Sequence, residues 1–170
     1  MPLDKTGTNP NSSMKMSLAG RSNLRARERA EFRYYDDMGP GRGNCTWGAG
    51  LLAHKGPCTA EELKRPVSAA AVAAEFSSRV ADAEGTVRAR VSHQALDQDQ
   101  FDAIVSYTFN LGPRGASKVL DLVDKGKLQE AARRMSATTR VRVKTKHGSK
   151  LIIARGLISR RAEESAPFRK

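Results

Sequence analysis

Aromatic side chains, cysteine and, over the last third, acidic residues are scarce in this 170-residue chain. Aromatics make up 5% of it, with a single tryptophan, and none are interleaved with its basic runs. A surface that stacks nucleic-acid bases is therefore not expected; helix-turn-helix and RNA-binding signatures are missing too, so no specific nucleic-acid partner is expected. No apolar run approaches the roughly 18 residues that would suggest a membrane span, which points to a soluble chain. The only cysteines are Cys45 and Cys58, neither in a C-x-x-C motif, and His54, His93 and His147 show no ligand spacing. Neither a metal nor another cofactor is expected. The opening residues 1–21 lack the basic start, apolar core and small-residue cleavage site of a secretory signal, so synthesis in the cytoplasm without such a signal is the expectation.

What is present is an uneven charge. Residues 1–112 carry 14 Lys/Arg against 13 Asp/Glu, whereas residues 113–170 carry 16 against 5. Such a basic third attracts polyanions and speeds encounter at low salt. A solvated basic face with no dedicated partner accounts for it equally well. The two cysteines flank a Gly-rich apolar stretch; they are placed to form one disulfide or to lie as two buried free thiols, and the spacing leaves both open. An oxidised pair would place the working compartment outside the cytosol.

Residues 1–21, rich in Thr, Asn, Ser, Gly and Pro, read as a flexible leader. From Ser22 or Asn23 to about residue 33 strong helix formers predict a first helix with Glu28 in its body. Residues 34–60, with Gly39-Pro-Gly-Arg-Gly43 and Thr46-Trp-Gly-Ala-Gly-Leu-Leu52, read as a small turn-rich sheet. Thr59-x-x-Glu62 is a capping box, and an Ala-rich helix is predicted over 66–83, ended by Gly85. The clearest helix runs over 97–111, with a capping box at Asp97 and Gln100, Phe101, Ile104, Val105, Thr108 and Phe109 on its core face, and Gly112-Pro113 as its stop. Shorter helices are expected over 119–125, 128–135 and 160–165, with 138–149 a basic loop or hairpin. One α+β domain over 22–170 follows, with a β-rich lobe at about 34–60 and a helical lobe at about 66–170.

Hydrolysis of a glycoside needs one carboxyl held protonated for the leaving oxygen and a second group that activates or positions water, or attacks the sugar. Glu28 and Asp37 are candidates, although a glutamate beside Arg25, Arg27 and Arg29 is ordinarily a surface charge. The combined pattern is more specific. Glu28, Tyr35-x-Asp37 and Thr46-Trp-Gly48-Ala-Gly50 fall in order, the first two at matching spacing, followed by the segment from Leu96-Asp-Gln-Asp-Gln-Phe101 to Gly112 and by Gly156-Leu-Ile-Ser-Arg-Arg-Ala-Glu163. This set resembles the phage lysozymes of glycoside hydrolase family 24 over most of residues 24–168.

The resemblance implies a lysozyme-like α+β fold, a small β-sheet lobe and a larger helical lobe with the active-site cleft between them, acting on peptidoglycan as a monomer. Glu28 would be the general acid, Asp37 would hold the attacking water or stabilise developing positive charge, and Thr46 would help to position that water, with inversion at the sugar. Leu52, Phe109 and Ser117 would line or border the sugar cleft, though the apolar face of its helix favours Phe109 as core. Arg160 and Arg161 come from the signature whose arginine approaches the catalytic Glu in the family, at least one of them being an ordinary exposed side chain. Trp47, alternating with Thr46, is expected to pack on the opposite sheet face.

The sequence departs from the pattern in two places. Eight residues separate Asp37 from Thr46 where the family has about five, an enlarged turn that keeps Asp36 in reserve as the carboxylate. Leu51 stands where the family commonly has His after Thr-x-Gly-x-Gly, removing an ion pair for which a Cys45–Cys58 disulfide, contributing up to about 3 kcal/mol, would substitute. The competing expectations are a lytic transglycosylase on the same scaffold and a non-catalytic cationic module binding walls or membranes. In either a phage or a secretion-system setting the chain would act in the periplasm or cell wall. The basic third would make anionic envelope contacts, and in the secretion setting an inhibitor protein would be a further partner.

Overall fold

The computed structural model describes residues 7–170 and divides into two compact units, residues 22–81 and, among the described residues, 7–21 together with 82–170. Helix α1 (Leu18–Arg27) begins four residues earlier than the propensities suggest. Ser17 is the cause: its hydroxyl accepts from the Gly20 amide at 3.0 Å, as an N-cap does, while its own amide donates to Asp102 at 2.9 Å. The helix also ends early, so Glu28 lies just past its last turn rather than in its body.

In the unit formed by residues 22–81, β1 (Glu31–Asp36), β2 (Cys45–Gly48) and β3 (Leu51–His54) form an antiparallel sheet in the order β1-β2-β3. Gly48 and Gly50, at φ 60° and 92°, reverse β2 into β3 through conformations that a side chain would strain. Cross-strand partners share a face. Tyr35, Thr46 and Leu52 therefore form one row, and Tyr34, Trp47 and Leu51 the opposite one. Trp47 packs as expected, around an open depression that it lines with Tyr34, Pro66, Val67, Ser68 and Ala71. Helix α2 (Ala60–Lys64) carries the expected Thr59/Glu62 capping box. The chain then returns to the sheet through a Val67 amide bond to Phe32 (2.8 Å) and enters α3 (Ala69–Arg90), whose Val72, Phe76 and Val80 are buried.

A pairing between His54 and Glu62 stands where the motif's missing histidine suggested a loss. His54 Nε2 lies 3.0 Å from Glu62 Oε1. The Thr59 amide, and then His54, hold the Glu62 carboxyl down to about 2; the Lys55 carbonyl, and then Glu62, raise the His54 pKa. The sequence marks Glu62 only as a helix cap, yet the same side chain serves both partners.

In the other unit the expected leader is folded. Asn11 is fully buried, its side-chain amide donates to the carbonyls of Val91 and Gln94 (both 2.8 Å), and its Oδ1 accepts from the Leu96 amide (3.0 Å). Composition read this segment as too polar to order, but one asparagine satisfies three backbone groups between two helices. Residues 1–6 of the expected leader lie outside the described residues. Gly85 does not end α3, which continues to Arg90. The cost of glycine in a helix, about 1 kcal/mol, is outweighed by burial of Val80, Ala83 and Val87 around it, while the buried Glu84 is paired with Arg21 and Arg88.

Helix α4 (Gln98–Asp124) starts at the expected Asp97/Gln100 capping box. Gly112, at φ 73°, kinks it rather than stopping it, because Pro113 is well suited to the first turn of a new helical run, and the helix expected at 119–125 becomes its second half. Phe101, Ile104, Val105, Val119, Leu120 and Val123 fill the core with Met135 of α5 (Leu128–Ala137). A hairpin of β4 (Arg140–Thr145) and β5 (Gly148–Ile153) precedes α6 (Arg155–Ser165) and a final 3-10 turn, Ala166–Phe168. No helix among the described residues is long and apolar enough to cross a membrane.

Two measurements check this reading. Replacing Asn11 by alanine orphans one buried amide and two carbonyls, and is expected to cost roughly 2–4 kcal/mol in urea unfolding. The His54–Glu62 contribution is full between the ordinary Glu value of 4.5 and the ordinary His value of 6.5. It fades as pH falls towards 2, through the lowered Glu62 pKa, and as pH rises through the raised His54 pKa. Calorimetry between pH 6 and 8.5 should therefore show a decline in Tm that is smaller in His54→Gln.

Candidate active site

Glu28, Asp37 and Thr46 all belong to the unit of residues 22–81. Glu28 follows the end of α1, half-buried, with its amide donating to the Arg25 carbonyl at 3.2 Å. Asp37 is exposed and follows β1 directly. Thr46 is almost fully buried on β2, between Tyr35 of β1 and Leu52 of β3. Burial, and then the charges of Glu31 and Asp37, push the Tyr35 hydroxyl above its ordinary value of 10, keeping it a neutral donor beside these carboxylates.

The enlarged turn between Asp37 and Thr46 is closed by Asn44. Its amide donates to Asp37 Oδ1 (2.8 Å), its carbonyl accepts from the Asp37 amide (3.1 Å) and from the Thr46 hydroxyl (3.2 Å), and its Oδ1 accepts from the Gly56 amide (3.1 Å). Gly43, at φ 79°, must stay bare, because a Cβ there would lie 2.0 Å from Asp37 Oδ1. The eight-residue spacing therefore does not separate the two candidate residues: both are bonded to one asparagine. The motif does not single out Asn44. Its position at the end of a Gly-Pro-Gly turn, just before the paired cysteine, is the only signal it leaves in the sequence.

The two adjacent aspartates have different work. Asp36 Oδ2 accepts from the Gly41 amide and Oδ1 from the Cys58 amide, both at 2.7 Å, so its carboxylate is spent on the turn and on the neighbouring loop. Asp37 makes both its carboxylate contacts to Asn44 and stays open to solvent on its other side. Cys45 and Cys58 are joined in a disulfide, which settles the alternative left open by their spacing. Cys45 also meets the geometric requirement for a cation site with His54 and Glu62, but a disulfide sulfur offers no thiolate, and those two side chains are paired with each other.

Leu52, half-exposed on β3, stands opposite Thr46 and shares its face. Phe109 and Ser117 lie in the other unit, on α4. Phe109 is buried, in keeping with its place on the core face, and the Ser117 hydroxyl donates to the Arg114 carbonyl one turn back (2.9 Å). Neither arginine of the C-terminal pair is an ordinary exposed side chain: Arg160 and Arg161 are 8% and 0% exposed. Both pair with the buried Glu164, which also accepts from the Ser106 hydroxyl, and Arg161 lies over the Tyr107 ring and donates to the Thr138 carbonyl (2.9 Å). The sequence signature marks the two arginines but not the glutamate that makes their burial tolerable.

The profile of the phage lysozyme family matches residues 26–164. No curated protein sequence matches the chain. Among solved structures, the muramidase domain of SpmX from Asticcacaulis excentricus is 28% identical with a TM-score of 0.68, covering 92% of this chain and 98% of that one. An endolysin from the Escherichia coli O157:H7 phage FAHEc1 is 23% identical (TM-score 0.63, covering 92% and 94%). A mutant P22 lysozyme is 22% identical (TM-score 0.62, covering 92% and 99%), and these two show likeness of fold. With mixed helical and segregated antiparallel elements and a family match that spans the site, the chain belongs to the phage lysozyme family, as a lysozyme-type glycoside hydrolase of peptidoglycan.

Proposed function

We propose that this chain hydrolyses the β-1,4 bond between N-acetylmuramic acid and N-acetylglucosamine, with Glu28 as general acid and a water positioned by Asp37 and Thr46. The joint attachment of Asp37 and Thr46 to Asn44 carries the reading. The Thr46 hydroxyl spends its hydrogen on the Asn44 carbonyl, so its oxygen is left to accept. The Asp37 carboxylate, oriented by Asn44, keeps acceptor positions of its own. A water that donates to both presents its lone pair to the anomeric carbon while Glu28 protonates the departing oxygen. The water's displaced proton passes to Asp37, and attack opposite the leaving group inverts the sugar. A transglycosylase needs no such water-accepting pair.

Leu52, beside Thr46, borders the sugar in this scheme. The disulfide supports work in an oxidising compartment outside the cytosol, since such a bond does not persist in a reducing one. That compartment suits an enzyme of the cell wall, whether delivered as a phage endolysin or as a secreted antibacterial effector.

Glu28→Gln is expected to lower the rate of clearing of a purified peptidoglycan suspension by about 10²–10⁴-fold with the fold intact. Mass analysis of the wild-type products should show reducing ends; anhydro-sugars would mean transglycosylation. The neighbouring aspartates should separate by kind of effect. Asp37→Asn is expected to lose activity at nearly wild-type Tm, whereas Asp36→Ala should lose about 2 kcal/mol of stability and keep most of its activity per folded molecule.

A further inference from the structure

The hairpin of β4 and β5 plays no part in the chemistry proposed above, and its surface is unusual. It holds Arg140, Arg142, Lys144, Lys146 and Lys150 and no carboxylate. All its side chains are exposed except Val143, which is half-buried. Two of its aliphatics, Leu151 and Ile153, are 53% and 55% exposed, and Val141 and Ile152 are 38% and 39% exposed.

The register sorts these residues into rows. Arg140 stands opposite Ile153, Arg142 opposite Leu151 and Lys144 opposite Ser149, so one face carries a cationic row on β4 alongside an aliphatic row on β5. The other face holds Val141, Val143 and Ile152 with Lys150. Among the described residues, each strand has only the other as its sheet neighbour. Lysines on such edges guard against strand pairing between molecules, which accounts for the cations. It does not account for four outward aliphatics beside them, since these raise the hazard that the cations would guard against.

We infer that the hairpin is a docking element for an anionic lipid bilayer, its cations at the headgroups and Leu151 and Ile153 in the upper acyl region. Charge complementarity selects an anionic partner. The aliphatics select lipid among anions, because neither a phosphate backbone nor a glycan strand offers saturated side chains a water-free phase, and base or sugar recognition would call for aromatics. Cations and aliphatics in adjacent rows reach headgroup and acyl chain together, as the interfacial region requires.

The test is flotation of the whole protein with vesicles of phosphatidylglycerol mixed into phosphatidylcholine, against pure phosphatidylcholine. Binding to the anionic vesicles alone is expected, weakened but not abolished by raised salt. Replacing Arg140, Arg142 and Lys144 by glutamine should weaken it about fivefold per cation. Leu151→Ser with Ile153→Ser should weaken it at least tenfold and remove the salt-resistant part. Both variants should clear purified peptidoglycan as the wild type does, which verifies their folding; a set that fails this check is replaced by the single changes Arg142→Gln and Leu151→Ser. Equal binding to neutral vesicles, or hairpin variants that float like the wild type, would overturn the inference. So would an unchanged Leu151/Ile153 variant, which would mean charge attraction alone. Loss of peptidoglycan or acidic-protein binding with vesicle binding intact would assign the hairpin to that other partner and overturn it as well.

Discussion

The geometry around the proposed catalytic residues Asp37 and Thr46 depends on the hydrogen bonds of Asn44. Eight residues of turn separate Asp37 from Thr46, and a loop of that length, rich in glycine, has many conformations to lose on folding. Asn44 closes it by donating its amide to the Asp37 carboxylate and accepting the Asp37 amide on its carbonyl, reaches Gly56 with its side chain, and takes the Thr46 hydroxyl on the same carbonyl. The Cys45–Cys58 bond begins at the next residue, and the Cys58 amide is held by Asp36. Three chain segments are thereby held together around Asn44 and Cys45, and Asp37 gains a defined orientation although it is exposed.

The other unit uses the same device with different residues. Asn11 ties the N-terminal segment to the connection between α3 and α4, and Glu164 sits between two buried arginines. A buried ion cluster is a weak source of net stability because desolvation offsets its attraction, but removing one member is costly. Its effect is to make one arrangement of α6 against α4 and α5 much better than its rivals: Ser106 and Asn110 come from α4, Thr138 follows α5, and all of them contact the arginine–glutamate set. Apolar packing alone would tolerate small rotations of α6 that these directed bonds do not.

Local chemistry was the legible part of the sequence. Both capping boxes, at Thr59/Glu62 and Asp97/Gln100, form as read, since each is decided within four residues. The apolar face of α4 and the opposite facing of Trp47 and Thr46 follow from periodicity alone. The misreadings share a cause, which is a polar or flexible residue whose partner lies far along the chain. Asn11 looked like disorder until Val91, Gln94 and Leu96 supplied its bonds. Ser17 caps α1 with Asp102 behind it, 85 residues away. Gly85 and Gly112 looked like stops; one is carried through by the burial of its neighbours, and the other bends a helix that Pro113 restarts. At the candidate site, motif spacing proposes Glu28, Asp37 and Thr46, but Asn44 and the different partners of Asp36 and Asp37 depend on how a turn folds back, which spacing does not encode.

Charge and chemistry are assigned to different parts of the chain. The unit holding the proposed catalytic residues carries nine Lys/Arg against seven Asp/Glu, while residues 113–170 carry an excess of eleven positive charges. Encounter with a polyanionic envelope gains from as much positive charge as the fold can carry. Most of the excess charge lies outside the unit of residues 22–81, although Glu28 itself stands among Arg25, Arg27 and Arg29 in the chain. Salt is expected to act on this exposed basic surface, whose long-range attraction it screens.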